Sequence, residues 1–86
     1  MTTEMTTVEL YYSDTCRNCH QLRTLLMEIL PKNIKFKEIN ISYPEGSRRA
    51  SELNIMSVPA IVIDGDVVFV GRISKEELFR EIKSRD

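Results

Sequence analysis

The sequence has no long hydrophobic run and no excess of charge of either sign. Its longest apolar runs, Ala60 to Ile63 and Val67 to Val70, are far shorter than the roughly 20 residues that a membrane-spanning helix needs. The formal net charge of −1 leaves no electrostatic attraction for nucleic acid or an anionic membrane surface. We therefore expect neither a membrane nor a nucleic acid as a partner.

Signals for export and for additional domains are also missing. The start, MTTEMTT, lacks the basic and apolar regions of a secretory signal, so we expect a cytoplasmic protein. A chain of 86 residues without a repeat, a linker or a low-complexity tract is long enough for one domain with a modest core. We expect a loose tail over residues 1–6 and a single, monomeric domain over residues 7–86.

The hydrophobic pattern predicts the element order β-α-β-α-β-β-α. The first half is predicted to contain a strand over Val8 to Tyr12, a helix from Cys16 that Pro31 ends, a strand over Ile34 to Ile41 and a turn over Tyr43 to Gly46. A weak helix over Ser47 to Leu53 follows, with Asn54 as its left-handed cap, and then strands over Ala60 to Ile63 and Val67 to Val70 joined by an Asp64-Gly65-Asp66 hairpin turn. The last helix starts with the capping box Ser74 to Glu77 and has Leu78, Phe79 and Ile82 on one face. In the second strand, Ile34 and Phe36 lie on one face and Ile39 and Ile41 on the other. This change of phase indicates either a strand buried on both faces or a bulge.

These elements predict an α/β fold with one four-stranded mixed sheet and three helices. A right-handed crossover makes the first two strands parallel neighbours, and the final hairpin adds antiparallel strands. In open sheets of this kind, functional sites lie beyond the carboxyl ends of the parallel strands, where Cys16 is found.

Both cysteines and the only histidine of the chain lie in the segment Asp14 to His20. The C-x-x-C-H spacing is compatible with c-type haem attachment, with a dithiol redox pair and with half of a metal site. Cytoplasmic thiols are kept reduced, which favours catalysis or metal binding over a structural disulfide. Helical spacing puts the two Cβ atoms roughly 5 to 6 Å apart, so a disulfide can close with little backbone movement.

The two sulfurs are predicted to differ. Cys19 continues the apolar series of the helix that also contains Leu22 and Leu26, so it points toward the core and is the candidate resolving thiol. Cys16 begins the helix and is the candidate nucleophile. The helix N-terminus, a hydrogen bond from Cys19 and the charge of Arg17 would lower the pKa of Cys16, whereas the carboxylate of Asp14 would oppose this effect.

His20 lies one helical turn after Cys16, where it is either a surface residue or a proton-transfer group. Tyr12, Arg17 and Arg72 are candidates for lining a substrate groove, with solvated or packed side chains as the alternative.

Taken together, the segment Tyr11 to Cys19 and the segment Asn54 to Ala60, with its Ser-Val-Pro, resemble the thioredoxin and glutaredoxin superfamily, in particular its small prokaryotic members. The similarity extends from about Val8 to Lys83. It implies a thioredoxin-like fold with Pro59 cis beside the redox pair, the Val58 backbone paired with an extended substrate, and Gly71 keeping the substrate groove open. The alternatives are a trans edge-strand proline at Pro59 and a helix-entry turn at Gly71.

The sequence also departs from the superfamily pattern. The dipeptide Arg17-Asn18 between the cysteines is neither that of thioredoxins nor that of glutaredoxins, so the resemblance does not imply a redox potential. No tryptophan precedes Cys16, and Leu10 occupies the position where thioredoxins often have aspartate, so we expect no buried acid in the first strand. Glutaredoxins commonly bind glutathione with a basic residue shortly before the first cysteine and a Gly-Gly-Asp type turn after the last strand. This sequence has Asp14 and Gly71-Arg72-Ile73 instead, so its glutathione site looks incomplete.

The favoured function is that of a protein thiol–disulfide oxidoreductase that needs no cofactor besides the redox-active disulfide Cys16–Cys19. Its partners would be protein disulfides and a reductant, either a thioredoxin reductase or glutathione. The alternatives are a glutaredoxin, a redoxin that donates electrons to ribonucleotide reductase, a c-type cytochrome with Met27 or Met56 as second ligand, a redox-inert adaptor, and a metal site shared in a dimer. A metal site would need the dimer because two cysteines and one histidine are one ligand short of a tetrahedral set.

Overall fold

The structure is a computed structural model that describes residues 6–30, 32, 34–71 and 73–85. The predictions made for most of the tail (residues 1–5), for Pro31 and for Arg72 lie outside the described residues. Three helices and four strands follow one another in the predicted order, which is confirmed. Their bounds are β1 Thr7–Tyr12, α1 Arg17–Ile29, β2 Lys35–Asn40, α2 Pro44–Glu52, β3 Ala60–Ile63, β4 Asp66–Val70 and α3 Lys75–Arg85.

The four strands form one mixed sheet in the order β2-β1-β3-β4. Strand β1 pairs parallel with β2 and antiparallel with β3, which pairs antiparallel with β4. The β1–β2 register runs without a shift from Thr7↔Lys35 to Tyr12↔Asn40, so the phase change in β2 is not a bulge. Phe36 packs on one face of the sheet and Ile39 on the other, because helices cover both faces.

Two hydrophobic clusters lie on opposite faces of the sheet. The larger one joins α1 and α3 to the sheet and contains Val8, Leu10, Leu22, Leu26, Ile34, Ile61, Ile63, Leu78 and Ile82. The smaller one lies under α2 and contains Tyr11, Ala50, Ile55, Ala60 and Val62. All four residues of β3 are buried, as expected for a central strand covered on both faces. On α3, Leu78 and Ile82 are buried, whereas Phe79 is 49% exposed.

Helix α2 begins earlier than the sequence pattern predicts. Pro44, Glu45 and Gly46 are its first residues rather than a turn, and proline suits this place because its missing N–H is not needed there. A Cβ on Gly46 would lie 2.0 Å from the backbone oxygen of Asn40. The glycine thus allows the start of α2 to approach the end of β2.

The local signals for the turns and caps agree with the structure. Asp64 and Gly65 both have positive φ in the β3–β4 hairpin, as a two-residue turn of the mirror-image type requires. Asn54 also has positive φ, after the end of α2. The Ser74 Oγ accepts a hydrogen bond of 3.1 Å from the Glu77 N–H at the start of α3. Among the described residues, none of the helices is both long and apolar enough to cross a bilayer.

Candidate active site

The turn after β1 brings Cys16 to the start of α1. Strand β1 ends at Tyr12, and the Cys16 N–H donates a hydrogen bond of 3.3 Å to the Ser13 carbonyl. The spacing predicts Cys16 in the first turn of the helix. In the structure the helix starts at Arg17, and Cys16 is its N-cap. Its Sγ accepts a hydrogen bond of 3.1 Å from the Cys19 N–H, in the position where a serine or aspartate oxygen usually caps a helix.

The two cysteines form a disulfide whose Cα atoms are 5.3 Å apart, within the usual range for this bond. Their environments differ. Cys19 is 2% exposed, whereas Cys16 is half-buried at the mouth of the turn. A molecule approaching from solvent therefore reaches the sulfur of Cys16 before that of Cys19.

The electrostatic surroundings of Cys16 favour a negative charge. The free N–H groups at the start of α1 carry partial positive charge, and the first turn contains no acidic residue that would compete for them. Arg17, Asn18 and His20 are exposed on α1. The acidic neighbour in the sequence, Asp14, is engaged elsewhere, since its Oδ1 accepts a hydrogen bond of 2.7 Å from the Asn40 side chain.

Pro59 and Gly71 meet beside α1. The Val58–Pro59 peptide bond is cis, Pro59 is buried and Val58 half-buried. The Pro59 carbonyl accepts a hydrogen bond of 2.7 Å from the Gly71 N–H. Gly71 has φ of 88°, and a Cβ placed there would meet nothing within 4 Å. The space next to Gly71 is thus open, and its backbone conformation is one that glycine adopts without strain.

A groove with a volume of about 490 Å³ runs between α1 and the segment that leads into α3. Its lining includes Asn18, Gln21 and Leu25 from α1, Pro59 from the opposite wall, and Ile73 and Ser74. Asn18 is one of the two residues between the cysteines, so the groove adjoins the C-x-x-C segment, although neither cysteine lines it. Its volume is sufficient for a segment of extended chain.

Tyr12 does not line this groove. It is half-buried and lines a second, more polar groove of about 570 Å³ beside α2, together with Lys37, Tyr43 and Arg49. The structure thus places Asn18 of the C-x-x-C segment and Pro59 in one groove and Tyr12 in another.

One buried polar cluster was missed, and the prediction that β1 contains no buried acid is wrong. Glu9 is 7% exposed. Its carboxylate accepts hydrogen bonds from the Tyr11 hydroxyl at 3.3 Å and from Arg49 Nη2 at 2.7 Å. Burial raises the pKa of Tyr11, which keeps its hydroxyl a donor, and contact with Tyr11 and the charge of Glu9 raise the pKa of Arg49. The central position of β1, covered on both faces, was the only signal for this cluster.

The sequence patterns also did not indicate a role for Asn40, the last residue of β2, or for Ser42, which follows that strand. Their contacts with Asp14 lie at the edge where the carboxyl ends of β1 and β2 meet, and this adjacency is what a parallel pairing predicts. Within the described residues, no group of three or more histidine, cysteine, aspartate or glutamate side chains is arranged to hold a metal ion.

Known proteins with similar sequences include thioredoxins. The family described as "Thioredoxin domain" matches residues 6–84. A thioredoxin from Methanocaldococcus jannaschii is 37% identical over 91% of this chain and 93% of its own length. A probable thioredoxin from Methanothermobacter thermautotrophicus is 36% identical over 87% of this chain and 89% of its own.

Solved structures share the fold. A mutant thioredoxin from Halobacterium salinarum superposes with a TM-score of 0.76 at 24% identity, over 92% of this chain and 73% of that one. Thioredoxin O2 from Arabidopsis thaliana, in its oxidised state, superposes with a TM-score of 0.79 at 17% identity, over 93% of this chain and 74% of that one. With a family match over nearly its whole length and a disulfide at the N-terminus of its first helix, the chain belongs to the thioredoxin family.

Proposed function

We propose that this chain reduces protein disulfides, with Cys16 as the attacking thiolate and Cys19 as the resolving thiol. The observation that carries the assignment of roles is the asymmetry of the pair: Cys16 is a half-buried helix N-cap, and Cys19 is 2% exposed. As a thioredoxin family member with a C-x-x-C disulfide, the chain is a thiol–disulfide oxidoreductase. The assignment of each sulfur goes beyond this class.

The reaction starts from the dithiol form. The Cys16 thiolate attacks one sulfur of a substrate disulfide, the substrate S–S bond breaks, and the released substrate thiolate takes up a proton. Cys19 then loses its proton and attacks the Cys16 sulfur, which releases the second substrate thiol. The substrate gains two electrons and two protons, and Cys16 and Cys19 end as the disulfide.

The start of α1 would stabilise the attacking thiolate. An ordinary cysteine, with a pKa of about 8.5, is about 3% thiolate at pH 7, and half ionisation needs about 2 kcal/mol of stabilisation. A helix N-terminus typically contributes about 0.3 to 1 kcal/mol, and a hydrogen bond to a charged group about 1.5 to 3 kcal/mol. The Cys19 N–H already points at the Cys16 sulfur in the disulfide form, so these two contributions together are sufficient.

The groove beside the disulfide would bind the substrate as an extended segment. Val58 directly precedes Pro59, which lines the wall of the groove, so its backbone would pair with a substrate strand. Gly71 supports this wall through its hydrogen bond to the Pro59 carbonyl, and the open space beside it leaves room for a substrate side chain. Arg17, Asn18 and His20 are exposed beside the pair, where they would tune its potential or contact the substrate.

We further propose a monomer that acts in the cytoplasm, made of one domain over residues 7–86 after a short tail over residues 1–6. A reductase of the thioredoxin reductase type would regenerate the dithiol with electrons from a reduced nicotinamide. The identity with two archaeal thioredoxins supports this choice of reductant over glutathione.

An insulin-reduction assay tests the reductant. The protein is assayed in parallel with a thioredoxin reductase and with glutathione plus glutathione reductase, and turnover is expected with the former. Turnover with glutathione alone would make the protein a glutaredoxin and refute the proposed electron source.

A trapping experiment tests the roles of the two sulfurs. Cys19→Ser is expected to accumulate a mixed disulfide between Cys16 and a model substrate, because the resolving thiol is gone. Cys16→Ser is the matched control and should trap nothing. Trapping by Cys16→Ser and not by Cys19→Ser would reverse the assignment.

A further inference from the structure

Asp14, Asn40 and Ser42 form a closed ring of three hydrogen bonds next to the turn that carries Cys16. Asn40 Nδ2 donates to Asp14 Oδ1 at 2.7 Å, the Ser42 N–H donates to Asn40 Oδ1 at 2.9 Å, and the Asp14 N–H donates to Ser42 Oγ at 3.1 Å. Each residue contacts the other two. The ring therefore ties the β1–α1 turn to the end of β2.

The Asn40 side chain is held at both of its polar atoms. Its carbonyl oxygen accepts from the Ser42 N–H, which leaves the NH₂ group to face the Asp14 carboxylate. Asn40 is also the last residue of β2, paired in the ladder with Tyr12. A rigid strand thus presents a fixed donor to a carboxylate on an exposed turn.

Without this donor, the Asp14 carboxylate would have a nearby competing partner. The start of α1 offers free N–H groups and has no acidic residue in its first turn, and helix N-termini attract carboxylates. Asp14 lies only two residues before Cys16. A carboxylate released toward α1 would occupy the same positive region that stabilises a Cys16 thiolate.

We propose that Asn40 is a positioning residue for Cys16, which holds the Asp14 carboxylate on the β2 side and so limits its repulsion of the attacking thiolate. This inference rests on the proposed role of Cys16 as nucleophile. The other charged or titratable residues near Cys16 on α1 are Arg17 and His20, both exposed. The described residues that line the groove from outside α1, namely Pro59, Ile73 and Ser74, carry no charge.

The size of the effect follows from Coulomb's law. In water, two unit charges about 7 Å apart shift a pKa by about 0.4, which changes the thiolate fraction of a weakly ionised thiol about 2.5-fold. The held carboxylate already exerts part of this repulsion, so Asn40→Ala should raise the pKa of Cys16 by at most about 0.4. It should slow alkylation of Cys16 at neutral pH by at most about 2.5-fold.

The test is a double-mutant cycle on the reduced full chain. The pH dependence of iodoacetamide alkylation is measured for the parent, Asn40→Ala, Asp14→Asn and the double variant, with mass spectrometry to identify the alkylated cysteine. The pKa of Cys16 should rise in Asn40→Ala, fall in Asp14→Asn, and show no further change when Asn40→Ala is added to Asp14→Asn. A purely structural role of Asn40 would shift the pKa equally in both backgrounds, which would overturn the proposal.

Ser42→Ala is the matched control, because it removes the bond to the Asp14 backbone and keeps the contact between Asn40 and the Asp14 carboxylate. It should leave the Cys16 pKa within about 0.1 of the parent value, and so shift it less than Asn40→Ala does. An equal shift in Ser42→Ala would mean that any loosening of the turn has this effect, and would reject the role of Asn40. Far-UV circular dichroism checks the fold of each variant, and Asn40→Val, which also lacks a donor, replaces Asn40→Ala if the latter does not fold.

The outcomes also separate this inference from the proposed function. If Cys19 is the thiol alkylated first, the assignment of the nucleophile fails. If Cys16 is alkylated first but its pKa is the same in Asn40→Ala and in the parent, the nucleophile stands and only the role of Asn40 is refuted.

Discussion

Replacing Arg49 with alanine would leave the buried carboxylate of Glu9, on the central strand β1, without its cationic partner. The Glu9 side chain is 9% exposed and that of Arg49 is 45% exposed. The pair is 2.7 Å apart, and the Tyr11 hydroxyl supplies the other hydrogen bond to the carboxylate. The Arg49→Ala variant would keep this hydroxyl as the remaining partner of Glu9 in the cluster.

The expected loss lies between two limits. Removing one partner of a fully buried ion pair costs about 3 to 5 kcal/mol, and removing one from a surface pair costs about 0 to 1 kcal/mol. Because nearly half of the Arg49 side chain is exposed, water can enter the space that it leaves and solvate Glu9 in part. We expect Arg49→Ala to lower the free energy of unfolding by about 1.5 to 3 kcal/mol, which for a domain of this size lowers Tm by at least about 6 °C.

Arg48→Ala is a matched control one residue away on the same helix. Arg48 pairs with Glu52 on the surface, with both side chains more than half exposed, so its removal should cost only about 0.3 to 0.5 kcal/mol. Urea denaturation of the disulfide form measures both losses. In a Glu9→Gln background the loss from Arg49→Ala should shrink by about 1 kcal/mol or more, because no buried charge is left behind. Equal losses for Arg49→Ala and Arg48→Ala would refute this account of the cluster.

Three further predictions concern stability. Tyr11→Phe should make unfolding less pH-dependent in alkali, because burial raises the pKa of Tyr11 above 10.0. The stability that this raised pKa provides is complete below pH 10 and is lost as the pH rises through the raised pKa. Urea midpoints at pH 9 and pH 11 for Tyr11→Phe and the parent measure this difference. Gly46→Ala should destabilise the protein more than Gly65→Ala, by at least about 1 kcal/mol in thermal unfolding. A Cβ at position 46 would collide with the Asn40 backbone, whereas a Cβ at position 65 would meet no atom and would be disfavoured only by the positive φ. Ser74→Ala should cost about 1 kcal/mol through loss of the α3 cap, and an unchanged Tm would show that this hydrogen bond contributes nothing.

Most of the fold could be predicted because its signals are local. The apolar spacing of α1, the positive-φ pair Asp64-Gly65 and the serine cap of α3 each involve residues only a few positions apart. The early start of α2 was missed because a Pro-Glu-Gly segment is as typical of a turn as of a helix N-terminus. What decides between them is the contact of Gly46 with the end of β2, which no local pattern contains.

Strand β1 shows the limit of alternation as a signal. Val8 and Leu10 on one side and Glu9 on the other are typical of a strand with one solvated face. In the structure α2 covers that second face, so Glu9 is buried and depends on a residue 40 positions away, Arg49. Phe79 shows a similar limit, because the sequence groups it on one helical face with Leu78 and Ile82, yet in the structure those two are buried and Phe79 is half exposed.

The sequence by itself determined the order of the elements, the family and the pair Cys16 and Cys19, because spacing along the chain and residue type suffice for these. Only the tertiary structure decided which groups surround the pair. The Gly71 N–H meets the Pro59 carbonyl, and Asn40 meets Asp14 across 26 positions of sequence. These contacts depend on how strands and helices assemble, because hydrogen bonds act over about 3 Å in space and have no signature in the spacing of residues along the chain.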